Sequence, residues 1–355
     1  MEKTMLRAHT VKRRTIEFTQ DAVPQLIPGH ALVRVHHVAL CGTDLHIWDD
    51  DYASELPLVQ GHEFVGRIEA INFGTAAAAD GLDIGTAVAV SPMVYCNECG
   101  PCQAGRFNVC ESISCLGCYE DGALAEVVRV PISKLHVLPE SMPPRLATLG
   151  EPGSIAMQAV NRGTPVEGET ALVLGCGPIG LLATLFLVER GVKVIASDLS
   201  PARLELARAF GAVATLQAGN GPFPSAEQQL ELDSWCQLSG PTLVIEATGV
   251  PASFENAVRL AAPTARIVQV GISTGTAALS MREVPFKELD IRGSRNSLNL
   301  IPAALEVLNR HQDLAYQLVT HGFEFEQLGE AFETMLDPTQ NVGKIVINMP
   351  AGSPA

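Results

Sequence analysis

Between Thr170 and Asp198 the chain reads TALVLGCGPIGLLATLFLVERGVKVIASD, and no other stretch narrows its possible folds so far. A short apolar run, TALVLG, meets GCGPIG at Gly175–Gly180, a match to G-x-G-x-x-G. Such a turn on its own is a weak signal, since glycine-rich turns are common. Here it follows a strand, opens a helix, and precedes a second strand that ends in an acid, Asp198, 18 residues after Gly180. That order is the signature of a dinucleotide-binding βαβ unit. Gly175 permits the tight turn. Gly177, with Pro178 and Ile179 after it, lets backbone approach a pyrophosphate at the helix N-terminus. Gly180 allows close packing of helix on strand. Asp198 is placed to accept hydrogen bonds from ribose hydroxyls, and its charge would repel a 2′-phosphate, so NAD is expected rather than NADP. Arg203 either flanks the adenine or is a solvated helix residue.

The rhythm continues on both sides of this unit. PASFENAVRLAA has helical spacing between the strand-like TLVIEATG and ARIVQVG, and SPARLELARAFGA has Ser200 as its N-cap, Pro201 in the first turn and Gly211 as its stop. Strands alternating with helices imply a parallel sheet with right-handed crossovers. Before about residue 150 the pattern is different. ALVRVHHVAL (31–40), FVGRIEAI (64–71) and TAVAVS (86–91) read as strands separated by Gly, Pro and Asp clusters, an all-β or α+β domain. The low-complexity TAAAAD at 75–80 reads as a surface turn, and the chain closes on the strand-like GKIVINM. The resulting fold class is α/β: a Rossmann dinucleotide-binding domain with a parallel sheet, expected over 154–290, and a mainly β domain built from 1–153 and from a return over 291–355.

Charge and targeting signals exclude several classes of function. The formal net charge of −15 opposes binding to nucleic acid or anionic lipid and suits a small-molecule ligand. Ala171–Val188 carries no charge over 18 residues, close to the minimum for a membrane span, but three glycines and a proline break it into strand, turn and helix. The N-terminal MEKTMLRAHTVKRRTIEF has basic residues without an apolar stretch behind them, so a cytoplasmic location is expected.

In a reducing compartment, clustered cysteines point to metal ligation or catalysis more than to disulfides. Six of the nine cysteines lie between Met93 and Tyr119. Cys96, Cys99, Cys102 and Cys110 have the spacing C-x2-C-x2-C-x7-C. Four thiolates on so short a loop can close a tetrahedron round Zn²⁺ with no position left for water, a structural site. Gly100, Pro101 and Gly105 suit the turns of such a lobe. Cys115 and Cys118 form a separate C-x2-C, either a redox pair or two ordinary thiols. With no helix N-terminus or base evident beside them, the second reading is preferred. A further cluster lies upstream. CGTDLH (41–46) ends one strand and GHE (61–63) begins another, so one Cys, one His and one or two carboxylates can form an open metal site with a place for substrate.

CGTDLH, GHEFVG, the four-cysteine lobe, EDGALAEVV, GEPGSIAMQAV, GCGPIG and SDLSPARLELARAFGA occur here together and in order. With them the chain resembles the zinc-dependent medium-chain dehydrogenase/reductases over nearly its whole length. It is most similar to the polyol branch of sorbitol, galactitol and L-galactonate 5-dehydrogenases, with the threonine 3-dehydrogenases as near neighbours. The resemblance implies that the β domain is GroES-like and catalytic, and that each chain carries two Zn²⁺, one catalytic and one structural. Cys41 and His62 would ligate the catalytic zinc, Glu63 looks like its third ligand, and Glu151 matches a position that either ligates the metal or holds its water. Thr43 and His46 match a proton-relay pair, and Arg295 a substrate-side arginine. Gln158 stands where the family usually has histidine.

The expected reaction follows. A secondary alcohol of a polyol or sugar acid gives up its hydroxyl proton through Thr43 to His46 and its hydride to the nicotinamide of NAD, leaving a ketone. The alternative within the class is an L-threonine 3-dehydrogenase. The alternative outside it is a non-catalytic sensor that binds zinc and NAD, which would have no need of a relay. The expected assembly is a homodimer or homotetramer associating through the nucleotide domains.

Overall fold

The computed structural model describes residues 3–75, 81–219, 221, 223–237 and 239–350. Residues 76–80 of the turn expected at 75–80 lie outside these. The chain divides into two units, Met1–Glu151 with Ile301–Ala355, and Pro152–Leu300.

In the first unit an antiparallel hairpin, Thr4–Lys12 with Thr15–Ala22, precedes the main sheet. That sheet has seven strands. Its centre is the long strand His30–Leu40, which pairs antiparallel with Glu63–Asn72, Val127–Pro131 and Lys344–Asn348. The valines and leucines of HALVRVHHVAL drive this position, since β-branched and apolar side chains on both faces suit a strand covered on both sides. Val33, Val35, Val38 and Leu40 pack with Phe64, Ile68, Val88 and Leu124 in one core. Into this core also reaches Trp48, stacked on Phe332 with ring centroids 5.0 Å apart. Register decides what meets at the sheet's end. Ala39 faces Glu63 and Leu40 faces Ile345, so the end of one strand and the starts of two others converge there.

The second unit is a six-stranded parallel sheet. Its strands are Thr170–Leu174, Lys193–Asp198, Ala214–Gln217, Leu243–Glu246, Arg266–Gln269 and Asp290–Gly293, lying in the order third, second, first, fourth, fifth, sixth. Helices Pro178–Val188, Pro201–Ala209, Ala226–Trp235 and Pro251–Leu260 connect them. This is the doubly wound order, with a topological switch between the first and fourth strands. Ser200 caps its helix by accepting from Arg203 N–H at 3.4 Å, and Gly211 ends it at φ +97°. The last strand was not expected. DIRG lacks the apolar run that marks its neighbours, because as an edge strand it is largely exposed. It places residues 291–300 with the nucleotide sheet, so the chain returns to the first unit at Ile301 rather than at 291. The uncharged stretch 171–188 is a strand and an eleven-residue helix, and among the described residues no helix is long and apolar enough to cross a membrane.

Candidate functional site

Cys41 is the N-cap of the short helix Gly42–Trp48, directly after the central strand. Its backbone N–H donates to Asp44 Oδ2 at 2.9 Å, which fixes the strand-to-helix corner. Asp44 is fully buried, and its other oxygen accepts from Gly61 N–H at 3.3 Å. One carboxylate thus ties the CGTD corner to the GHE turn. Gln60, also fully buried, strengthens the tie by donating to the Asp44 carbonyl at 2.7 Å and accepting from the Thr10 hydroxyl at 2.6 Å.

The result is a cluster in which the donor atoms of Cys41, His62 and Glu63 lie within 4.8 Å of one another. His62 is buried, with Nδ1 3.5 Å from Asp44 Oδ1, which leaves Nε2 as its ligating nitrogen. Burial lowers the pKa of this imidazole, but Asp44 and Cys118 together outweigh burial and hold it well above the ordinary histidine range. Cys, His and carboxylate within reach of one ion, with their partners in place, are a donor set that fits a three-ligand zinc site with an open fourth position.

Two further ionisable groups stand beside the cluster. Lys344, at the start of the strand Lys344–Asn348, is buried and donates to both Glu63 oxygens, at 2.5 and 2.6 Å, and to the Leu40 carbonyl at 3.3 Å. Burial lowers the pKa of this amine, but the Glu63 charge opposes burial and raises it above the ordinary value. Glu151, in the first turn of the helix Gly150–Gly163, is buried and pushed up to about 8, first by desolvation and then by Glu63. Glu63 and Glu151 were among the residues expected from the sequence; Lys344 was not. Nothing in GKIVINM marks a lysine 281 residues away from Glu63 as its counter-charge.

Thr43 and His46 share a face of the Gly42–Trp48 helix, three residues apart. His46 is exposed and its Nδ1 lies 2.8 Å from Asp51 Oδ1. Asp51 was not anticipated, although DDD at 49–51 stands close behind CGTDLH in the chain.

Cys115 and Cys118 are both buried, and they correct one expectation. A base does stand beside Cys118: its Sγ lies 3.6 Å from His62 Nδ1. The Cys115 thiol lowers the Cys118 pKa most, against its burial, and His62 lowers it further. Close backbone packing brings them there. A Cβ on Gly117 would stand 2.5 Å from the Gly61 carbonyl oxygen, and one on Gly122 2.4 Å from it, so only glycines let this loop lie on the GHE turn.

The four-cysteine lobe is a second cluster, with its sulfurs within 4.8 Å of one another. Three Sγ–Sγ separations are 3.5 Å (Cys96–Cys110), 3.8 Å (Cys99–Cys110) and 4.0 Å (Cys96–Cys102). Four thiolates at about 2.3 Å round a tetrahedral ion stand about 3.8 Å apart. The lobe therefore has the size of a zinc–thiolate centre. Backbone N–H groups of Glu98 and Cys99 point at Cys96 Sγ from 3.4 and 3.3 Å and lower its pKa to about 6, so the turn favours thiolate at Cys96, whereas burial and the neighbouring thiols push Cys102 up to about 12. Gly100 opens the short helix Gly100–Gln103, Pro101 is in its first turn, and Gly105 follows at φ +71°. Tyr95 stacks on Phe107 at 4.5 Å, with Lys134 Nζ 3.7 Å over the Tyr95 ring.

The cofactor candidates lie in the second unit. Gly175 turns at φ +95°, and a Cβ on Gly180 would collide with the Gly175 carbonyl, so helix and strand approach as closely as glycine allows. Gly177 is the N-cap of the helix and has open space where a Cβ would stand, room for a phosphate group, with Pro178 and Ile179 half-buried beside it. Asp198 accepts from Cys176 N–H at 2.7 Å and from Ser200 N–H at 2.9 Å, one on each oxygen. These bonds aim the carboxylate, and each oxygen keeps a further lone pair. Arg203 is half-buried in the first turn of the next helix. Arg295 is exposed, after the edge strand of this unit, and Gln158 is buried in the helix Gly150–Gly163.

Residues 27–140 match the alcohol dehydrogenase GroES-like domain, and residues 178–310 match the zinc-binding dehydrogenase domain. The chain is 32% identical to the starvation-sensing protein RspB of Escherichia coli K12 over 95% of this chain and 97% of that one. It is 34% identical to the L-galactonate-5-dehydrogenase of the same organism over 90% and 92% of the two chains. The crystal structure of an alcohol dehydrogenase (rspB) from E. coli CFT073, complexed with NADH, superimposes with a TM-score of 0.87 at 31% identity, covering 97% of this chain and 99% of that one. With both domain matches in chain order and relatives above 30% identity along almost its full length, the chain belongs to the zinc-type alcohol dehydrogenase family of oxidoreductases.

Proposed function

We propose that this protein oxidises a secondary alcohol of a polyol or sugar acid to a ketone, with NAD⁺ as hydride acceptor and two zinc ions per chain. The observation that carries the reading is the convergence of Cys41, His62 and Glu63, held by Asp44, with Thr43 and His46 on the helix that Cys41 caps. Bound there, zinc supplies the positive charge that lowers the pKa of an alcohol hydroxyl towards neutrality. The chain does the rest. The Thr43 hydroxyl accepts the substrate proton while passing its own to His46. With Nδ1–H of His46 directed to Asp51, Nε2 is the nitrogen that accepts it, and the exposed ring hands the proton to solvent. Glu151, buried beside the cluster, is the carboxylate that would either ligate the zinc or hold its water. Arg295 is the candidate for a sugar-acid carboxylate or for polyol hydroxyls. The first test is a turnover screen with NAD⁺ over polyols, aldonates, simple secondary alcohols and threonine. Two zinc ions per chain with no reduction of NAD⁺ by any of them would sink the reading in favour of a sensor.

Asp198 carries the choice of cofactor. An Asp198→Ala variant loses the charged acceptor for the ribose hydroxyls, a hydrogen bond of the class that contributes about 1.5–3 kcal/mol. The ratio of kcat/KM for NAD⁺ over NADP⁺ should therefore fall by roughly 10–100-fold. An unchanged ratio in initial-rate measurements would remove Asp198 from this role.

Cys96, Cys99, Cys102 and Cys110 are proposed as the structural zinc site. A Cys99→Ser chain should hold one zinc rather than two, and its thermal midpoint should fall by about 10 °C or more, because metal binding energy is folding energy in such lobes. NADH binding should be unchanged. Two zinc ions retained at the wild-type midpoint would count against the assignment.

A further inference from the structure

Glu246 ends the strand Leu243–Glu246 of the second unit and is fully buried. A carboxylate taken so far from water ordinarily requires a cation. Among the described residues its hydrogen-bond partners are all neutral. It accepts from Thr248 N–H at 2.8 Å, from the Thr248 hydroxyl, from Gly249 N–H at 3.2 Å and from Gln269 Nε2 at 2.9 Å. Four donors on two oxygens satisfy the group, and they come from the loop after its own strand and from the end of the neighbouring one. The register sets Leu174, Glu246 and Gln269 side by side at the carboxyl end of the sheet.

The loops held in this way are in tight contact with one another. A Cβ on Gly175 would stand 2.8 Å from Thr248 Cγ2, so the Thr248 methyl packs directly on the first glycine of the GCGPIG turn. Gly249, at φ +73°, and Gly271 lie backbone to backbone, since a Cβ on Gly271 would stand 1.9 Å from Gly249 N. Gln269 Nε2 also donates to the Gly271 carbonyl at 2.7 Å. Glu246 therefore fastens the loops that follow the fourth and fifth strands to the turn that follows the first. In a doubly wound sheet one mononucleotide half lies over the first three strands, here with Asp198, and the other over the last three.

We infer that Glu246 is a positioning residue for the nicotinamide half of the dinucleotide, an inference that rests on the NAD reading above. Its carboxylate sets Thr248 against the Gly175 turn and, through Gln269, the Gly271 backbone against Gly249, and it has no part in holding the adenosine half. Glutamine at this site turns an amide N–H₂ towards donors that need an acceptor, so a conservative change of shape breaks the arrangement.

The test compares NADH with AMP on the zinc-loaded, full-length chain. Dissociation constants are measured by nicotinamide fluorescence for NADH and by calorimetry for AMP, in the wild type, Glu246→Gln and Thr248→Val. NADH should bind about 10-fold more weakly to Glu246→Gln and about 3-fold more weakly to Thr248→Val, the hydrogen-bond losses expressed as affinity. AMP should bind all three alike. A loss of stability alone would not separate the two ligands in this way. If Glu246→Gln does not fold, Thr248→Val decides. NADH bound as tightly as by the wild type, or NADH and AMP weakened by one common factor, overturns the proposal. A wild type that binds neither NADH nor AMP overturns the dinucleotide reading itself, and this inference with it.

Discussion

Replacement of Cys41 by serine is expected to lower kcat/KM by about 10³-fold or more and to reduce the zinc content from two ions per chain to one. A serine hydroxyl at neutral pH is neither a thiolate nor a good zinc ligand, so the open site loses one of its three donors. The loss of rate then corresponds to removing several kcal/mol of charge stabilisation from the transition state, and each 1.36 kcal/mol is about tenfold. The fold should survive, because Cys41 is only half-buried and the backbone bond to Asp44 that fixes the corner does not use its side chain. Metal analysis together with turnover separates this variant from Cys99→Ser. Both chains should hold one zinc, but only Cys41→Ser should lose catalysis at a temperature where both are folded. A Cys41→Ser enzyme with full turnover would remove Cys41 from the mechanism.

Lys344→Met is expected to have the largest effect on stability. Lys344 and Glu63 form an ion pair with side chains 5% and 1% exposed. Deleting one member leaves a buried carboxylate without its counter-charge, which typically costs about 3–5 kcal/mol. The double variant Glu63→Gln/Lys344→Met removes both charges and should recover a large part of that loss, since a buried pair taken out together is often close to neutral. Urea unfolding of the metal-free proteins measures both. A Lys344→Met chain within about 1 kcal/mol of the wild type would show that the pair contributes little beyond the exposed ion pairs of the surface. The same pair explains why the cluster is set so firmly. Lys344 also binds the Leu40 carbonyl, next to Cys41, so one ammonium group spans the ends of three strands.

Much of the candidate site was legible in short motifs because the chemistry is local in the chain. The four cysteines of the lobe fall within fifteen residues, and a tetrahedron needs no distant partner to close. GCGPIG carries its own context of strand, helix and acid, and the φ of Gly175 and the contact of Gly180 follow from it. Strands such as His30–Leu40 and Leu243–Glu246 were readable because they are rich in β-branched and apolar residues, as strands largely buried on both faces are. The edge strand Asp290–Gly293 was not, since three of its four residues are exposed and its composition is that of a loop.

The amino-acid sequence alone determined the fold class, the two metal motifs and the nucleotide turn, because periodicity, glycine placement and ligand spacing are properties of neighbouring residues. The tertiary structure alone decided the partners. It put Lys344 against Glu63, Cys118 beside His62, and four neutral donors around Glu246. Counter-charges and hydrogen bonds at buried sites are set by which strands lie side by side and in what register. That depends on the whole core, so a lysine near the end of the chain and a glutamate near its beginning carry no mark of each other until the sheet between them has formed.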